Sequence, residues 1–170
     1  VDLYYHSVGH NGTMLLNFPV DRKGLIHPID SMRAVAMHRR IQAELSHNLL
    51  TSATIKASNV RHKKHYGTQR LTDGNPDTYW ATADGVTQAT IEFRFKSAQR
   101  INRLMLQEYI PLGQRVRAFI VEYYDKGRWL PIDPGEVTTT IGYKRLLRFT
   151  TITTRRLRIR ITDARGPLCL

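Results

Sequence analysis

The densest group of oxygen-bearing side chains lies in residues 71–82, which read LTDGNPDTYWAT. Asp73, Asp77 and Thr78 place two carboxylates and a hydroxyl within six residues, around a glycine and a proline that favour turns. Together with backbone carbonyls, such donors could surround a structural calcium ion. The alternative is a plain Asx-type turn, in which the two aspartates accept hydrogen bonds from nearby backbone N–H groups. The residue types leave both interpretations open.

A second candidate site lies between Glu108 and Arg115. Sugars are commonly held by an aromatic ring against their C–H groups and by planar polar side chains on their hydroxyls. Tyr109 offers the ring, and Gln114, Arg115 and Glu108 offer the polar groups. The same side chains could instead dock one domain onto another. The segment is therefore a candidate for carbohydrate binding or for an interdomain contact.

Other reactive groupings in the sequence do not form a recognisable catalytic motif. The two histidines of 62–65 (HKKH) are flanked by lysines, which oppose a metal cation, so an exposed loop is the better interpretation. Hydrolysis of a glycosidic bond needs two carboxyl groups across that bond. The first 50 residues contain only Asp2, Asp21, Asp30 and Glu44, and the last two are better explained by a helix. We assign no catalytic pair to these residues.

One strand and one helix are predicted before residue 50. Residues 12–18 predict a short apolar strand after an Asn-Gly turn, and a loop follows. A helix is then expected, with Pro28 in its first turn and Asp30 or Ser31 as its cap. Its apolar residues recur every three or four positions at Ala34, Met37, Ile41 and Leu45. One strand and one helix cannot bury themselves, so residues 1–50 are predicted to be the last βα unit of a larger α/β domain.

Short alternating segments take over after residue 51. The candidate strands are separated by clusters of Pro, Gly, Asp and Thr. Seven or eight short strands separated in this way predict an antiparallel β-sandwich over 51–170. Leu49–Asn59 is the expected linker, and Trp80 is expected to anchor the core of the sandwich. The predicted strands are 89–95, 101–106, 118–123, 128–132, 137–141, 145–150 and 155–162.

The charge of the chain is +12, with 26 Lys and Arg against 14 Asp and Glu. The excess is +6 in residues 1–70 and +6 in 71–170, and Arg156, Arg158 and Arg160 alternate with apolar residues as on the wet face of a strand. We therefore predict no nucleic-acid partner. No apolar run approaches the ~20 residues of a membrane span. The single cysteine, Cys169, excludes a disulfide scaffold within the chain.

Two stretches resemble family 29 α-L-fucosidases. Residues 11–28, NGTMLLNFPVDRKGLIHP, are similar to the end of the catalytic barrel in that family. Residues 106–116, LQEYIPLGQRV, with GYKR at 142–145, are similar to the C-terminal galactose-binding-like domain of the α-1,3/1,4 type. Residues 71–82 resemble a loop of discoidin-like and carbohydrate-binding modules that holds structural calcium in many relatives. This resemblance implies a jelly-roll sandwich preceded by the end of a (β/α)8 barrel.

The resemblance also implies a function. The chain would be the C-terminal portion of an enzyme that hydrolyses terminal α-L-fucosyl linkages, with its catalytic residues upstream of Val1 and no cofactor for catalysis. Its partners would be fucosylated oligosaccharides or glycoconjugates and its own catalytic barrel, in the periplasm or outside the cell. The alternative is a free-standing, lectin-like carbohydrate-binding module without catalysis.

Overall fold

The computed structural model describes residues 1–170 without a gap. Two helices, α1 (Asp2–His6) and α2 (Pro28–Leu45), lie in the first 50 residues, and a single helical turn, α3 (Lys63–Tyr66), follows later. None of these helices is long and apolar enough to cross a membrane. The strands are β1 (Thr54–Ala57), β2 (Ala89–Leu106), β3 (Val116–Asp125), β4 (Arg128–Pro131) and β5 (Arg145–Ala164).

The five strands pair in the order β1-β2-β5-β3-β4, and every pairing is antiparallel. The central strand is therefore β5, the last in sequence, which pairs with β2 on one side and with β3 on the other. This arrangement confirms the predicted mainly β, antiparallel architecture.

Two strands are much longer than the sequence predicts. β2 has 18 residues and β5 has 20, where the sequence predicts two short strands in each. Register irregularities at 94–99 and 101–103 let β2 bend and continue. The turn expected at Thr153-Thr154 is wrong. The Thr154 hydroxyl donates to the Tyr124 carbonyl at 2.8 Å, which ties this part of β5 to its neighbour.

Two further predictions about strands are wrong. The expected linker Leu49–Asn59 contains the edge strand β1, whose Ile55 and Ala57 pack against the core. Residues 137–141 form no strand, although they alternate. They are instead attached to β3 at one point, where the Thr138 carbonyl accepts the Phe119 N–H at 3.0 Å.

Alternate residues of the long strands build the core. Each fully buried aliphatic or aromatic side chain contributes about 1.5–3 kcal/mol relative to an exposed one. Trp80 is 0% exposed, and its indole N–H donates to the Asn59 carbonyl at 3.1 Å, so its predicted role as anchor is confirmed. The strand residues of the core include Ile91, Phe93, Phe95, Phe119, Val121, Leu157, Ile159 and Ile161.

The predicted helix is present as α2, but its cap differs. His27 is the N-cap, and its Nδ1 accepts the Ile29 N–H at 3.3 Å. Pro28 is the first helical residue, so Asp30 and Ser31 lie inside the first turn and the predicted cap is wrong. No residue of α2 is fully buried. The half-buried positions include the whole predicted apolar stripe, Ala34, Met37, Ile41 and Leu45.

The strand expected at 12–18 is absent. A strand needs a hydrogen-bonded neighbour, and no strand of this chain pairs with these residues. The end of the N-terminal part nevertheless contacts the sheet, because Leu49 and Leu50 pack against the core. The first 50 residues thus rest on the sandwich and join its sheet at one isolated bridge, where His10 pairs with Arg145 at the start of β5.

Candidate functional site

Glu108 acts as a clamp between three backbone segments. It is 6% exposed, and its carboxylate accepts the N–H groups of Arg115, Val116 and Gly142 at 2.7, 2.9 and 2.7 Å. Hydrogen bonds to a charged acceptor are shorter and stronger than those between neutral groups. All three lie inside the protein, so the carboxylate organises the loops between β2 and β5.

Arg115 and Gln114 occupy different environments. The Arg115 guanidinium donates to the carbonyls of Leu112 and Pro167 at 3.1 and 2.7 Å, and it lies 3.6 Å from the sulfur of Cys169. Its donors therefore hold the C-terminal segment in place. Gln114 is exposed. Of the four predicted residues, Gln114 is the one that is exposed as a whole.

Tyr109 belongs to a stack of three tyrosines. Its ring lies parallel to that of Tyr79, with centroids 4.2 Å apart, and Tyr66 follows at 5.0 Å from Tyr79. Burial, followed by a hydrogen bond with Tyr66, raises the pKa of Tyr79 to about 12. Tyr66 and Tyr79 could not be recognised as partners from the sequence, because their spacing of 13 residues matches no strand or helix period. The stack joins the 71–82 loop to the 108–115 segment, the two predicted candidate sites.

The 71–82 loop adopts the Asx-turn arrangement. Asp73 accepts the Asn75 N–H at 3.0 Å and the Thr78 hydroxyl at 2.6 Å, and the Arg70 guanidinium lies 3.3 Å from it. The hydrogen bond from Thr78 is the main cause of the lowered pKa of Asp73. Asp77 donates its N–H to the Asn75 side chain. In this arrangement the Thr78 hydroxyl and the Arg70 guanidinium face the Asp73 oxygens, so a calcium ion bound there would have to displace them.

A cavity of about 560 Å³ opens beside these two segments. Its apolar floor comes from β2 and β5, including Ile91 and Phe95, and the end of α2 forms another wall. Polar groups from Arg70, Asn75 and Tyr143 are among the residues that line it. This is the size range of a small-ligand site, and an apolar floor with a few polar groups is the usual lining.

Polar contacts join the first 50 residues to the sandwich. The Tyr5 hydroxyl donates to Glu44 at 2.9 Å, and the Arg103 guanidinium donates to that hydroxyl at 3.0 Å. Burial, then the bond to Glu44, raises the pKa of Tyr5. Burial alone would raise the pKa of Glu44 too. Hydrogen bonds from Tyr5 and Arg40 and the charge of Arg103 outweigh that effect and lower it.

A second group of contacts lies close to the first. The carboxylate of Glu136 lies 2.6 Å from Nε2 of His10 and 2.9 Å from the guanidinium of Arg145. Asp2 pairs with Arg148 at 2.5 Å. The partners are far apart in sequence, so no local pattern could have identified either group.

Similarity to known proteins extends over the whole chain. Residues 54–170 match the family model described as the F5/8 type C domain. A Bacteroides thetaiotaomicron structure, provisionally named an α-L-fucosidase, is 37% identical with a TM-score of 0.93, over 99% of this chain and 37% of that one. A Ruminococcus gnavus GH29 fucosidase in complex with fucose is 34% identical, with a TM-score of 0.88, over 99% of this chain and 34% of that one.

The curated relatives extend the same comparison to plants. α-L-Fucosidase 1 of Arabidopsis thaliana is 31% identical over 170 residues, which are 97% of this chain and 33% of the relative. The chain thus spans about a third of the length of the curated relatives it matches. The β-sandwich that follows residue 53 is the part covered by the family model. On that match, the chain belongs to the F5/8 type C domain family.

Proposed function

We propose that this chain is the C-terminal portion of an α-L-fucosidase that hydrolyses terminal α-L-fucosyl linkages in glycans. In this proposal residues 1–50 complete the catalytic barrel, and 51–170 form its accessory, carbohydrate-binding sandwich. The similarity to solved fucosidases covers both parts at once, with 99% of the chain aligned at a TM-score of 0.93. A free-standing module would need only the part after residue 50.

The observation that carries the proposal is the exposed apolar surface of the first 35 residues. Nine of the 15 large hydrophobic residues that are exposed belong to this short segment, and Leu15 is 84% exposed. Exposed apolar surface in such a concentration marks an interface with another part of a protein. The nine residues are Leu3, Leu15, Leu16, Val20, Leu25, Ile26, Ile29, Met32 and Val35.

The two polar groups at the junction support a fixed attachment. Arg103 meets Tyr5 and Glu44, and Glu136 meets His10. These pairs are partly shielded from water, so solvent screens them less than it screens surface pairs. A sandwich held in this way would keep a constant position relative to the barrel.

The proposed reaction follows the retaining scheme. One carboxylate attacks the anomeric carbon of fucose, the bond to the leaving oxygen breaks, and a second carboxyl group protonates that oxygen. Water then hydrolyses the glycosyl-enzyme. In the proposal both groups lie outside this chain: of the four carboxylates in residues 1–50, Asp30 lies in the first turn of α2, and the other three have structural partners here.

The test is release of fucose from an α-1,3- or α-1,4-fucosylated oligosaccharide. The longer protein that contains this chain is expected to release fucose, and the 170-residue chain alone is not, since nucleophilic catalysis is lost with the nucleophile. Activity of the chain alone would show a catalytic pair within it. An inactive but folded longer protein would refute the proposed activity.

A carbohydrate-binding module without catalysis is the second candidate. The cavity of about 560 Å³ beside Tyr109 favours it, because its volume suits a small sugar. Calorimetry with L-fucose separates the candidates: binding by the chain, together with an inactive longer protein, would support the module alone.

We also propose a periplasmic or extracellular location, which follows from the resemblance to fucosidases that act on glycoconjugates. Fractionation of the source cells tests it. Recovery of the protein with cytoplasmic markers would contradict this location without affecting the proposed activity.

A further inference from the structure

Six exposed basic residues lie on the segments that come together where the sheet bends, and we call them the basic patch. Arg94, by register, lies beside Arg156 of β5, while Arg100 pairs with Thr153. The β3–β4 turn lies next to this part of β5, because Thr154 bonds to Tyr124. The members of the patch, all exposed, are Arg94, Lys96, Arg100, Lys126, Arg128 and Arg155.

The six cations of the patch have no partners within the chain. None of them forms an ion pair, whereas Arg156, Arg158 and Arg160 of β5 all do. Asp125 is the one acidic residue in the β3–β4 turn. The two glutamates on the neighbouring strands, Glu92 and Glu122, are engaged by Arg156 and Arg158. Asp125, which pairs in register with Arg128, is the one carboxylate beside the patch, so the six cations leave a strong excess of positive charge.

Two arginines lie against two aromatic rings beside the patch. The guanidinium of Arg158 lies 4.3 Å from the centre of the Trp129 ring, and that of Arg156 lies 4.4 Å from the Tyr124 ring. Arg156 also lies 5.0 Å from Trp129, so the four side chains form a continuous stack. The stack covers aromatic faces that another molecule would otherwise use.

These features select the kind of partner. Single-stranded nucleic acid is held by bases that stack on free aromatic faces, and here arginines already occupy faces of Tyr124 and Trp129. A membrane surface is held by apolar side chains next to basic ones, and no large exposed hydrophobic residue lies in 94–100, 124–129 or 153–156. What the patch offers is dense positive charge, rich in the guanidinium groups that suit sulfate and carboxylate.

We propose that the basic patch binds an anionic glycan, one that carries sulfate esters or uronate carboxylates. The choice of a glycan rests on the proposed function, since an accessory domain that holds the polymer keeps the fucosyl ends near the enzyme. The patch lies on a different part of the sandwich from the cavity, and it would recognise the charge of the chain without contacting the fucose.

The experiment compares dextran sulfate, alginate, uncharged dextran and a DNA duplex by calorimetry with the 170-residue chain over a range of salt concentrations. The test variant carries Arg94→Gln, Lys96→Gln and Arg155→Gln. The matched control carries Arg22→Gln, Arg33→Gln and Arg39→Gln, which remove the same charge from exposed residues elsewhere. Thermal unfolding of both variants confirms that they fold.

We expect dextran sulfate, alginate or both to bind at physiological ionic strength, and the two arms distinguish sulfate from carboxylate. The test variant should lose about tenfold in affinity and about 2–3 in the slope of log K against log salt, and the control less than about twofold. Equal losses in both variants would overturn the proposal, as would DNA binding at least as tightly as the polysaccharides or no preference over uncharged dextran. Fucose release from a neutral oligosaccharide by the longer protein is independent of these results, so failure here leaves the proposed activity standing.

Discussion

Removal of the Glu108 carboxylate tests the most consequential contact in the sandwich. In the Glu108→Ala variant the N–H groups of Arg115, Val116 and Gly142 lose an acceptor at 2.7–2.9 Å. A hydrogen bond to a charged group contributes about 1.5–3 kcal/mol, so a simple sum would exceed 4 kcal/mol. The three bonds share one acceptor and water can enter the gap, so we expect a loss of about 3–5 kcal/mol in the free energy of unfolding.

The conservative variant Glu108→Gln refines this prediction. Its amide oxygen can still accept two N–H groups, but its NH2 group faces a third donor, so about 1–3 kcal/mol should be lost. For a chain of this size, each kcal/mol lowers the melting temperature by about 2–4 °C. Glu108→Ala should therefore have a lower melting temperature than Glu108→Gln.

Urea unfolding followed by tryptophan fluorescence measures the effect, because Trp80 is fully buried in the native state. Asp77→Ala is the matched control, since this aspartate is exposed, and it should change stability by less than about 0.5 kcal/mol. A loss below about 1 kcal/mol for Glu108→Ala, or wild-type stability for Glu108→Gln, would refute the clamp. It would also return Glu108 to the candidates for sugar binding.

Three further predictions concern titratable groups. The folded pKa of Tyr79 is about 12, above its ordinary value of 10.0, so its contribution to stability is present below pH 10 and is lost as pH rises toward 12. When the urea midpoint is measured against pH, Tyr79→Phe should reduce the fall of the midpoint between pH 10 and 12. Burial raises the pKa of the Cys169 thiol, so its reaction with a thiolate-specific reagent should be slow until urea unfolds the chain. The pKa of Asp73 is lowered from 3.8, so its contribution is lost as pH falls below that value, and Thr78→Ala should weaken this dependence. Because the Asp73 carboxylate already accepts hydrogen bonds, millimolar calcium and a chelator should give the same melting temperature, and a calcium-dependent rise would support the calcium interpretation.

The elements that follow a simple period were predictable. Alternation revealed the inward faces of β2 and β5, and the three-four spacing revealed α2. The sequence could not show that β2 passes through its bend as one strand, because the irregularity at 94–99 depends on pairing with β5. It could not show β1 either, since four residues at an edge carry too little pattern.

The candidate site was predictable only in part. The 71–82 loop and the 108–115 segment were both identified, and the tyrosine stack brings them together. Their chemistry was not predictable, because the partners of Glu108 and Arg115 are backbone groups of other segments. The basic patch was not predictable for a related reason. Basic residues are spread evenly along the sequence, and they come close together only because three segments of the fold meet at one bend.

The strand order has a consequence for how the chain folds. β2 and β3 are consecutive long strands, yet neither pairs with the other, and each uses β5 as its neighbour. During synthesis, β2 and β3 each keep one edge without a hydrogen-bonded neighbour until residues 145–164 have emerged from the ribosome. Pairing over such distances along the chain is slow, on the order of milliseconds to seconds, and waiting strand edges invite aggregation. Chaperone dependence during expression should therefore end only when β5 has left the ribosome, and truncation before Arg145 should yield two separate strand pairs, β1–β2 and β3–β4, that cannot unite.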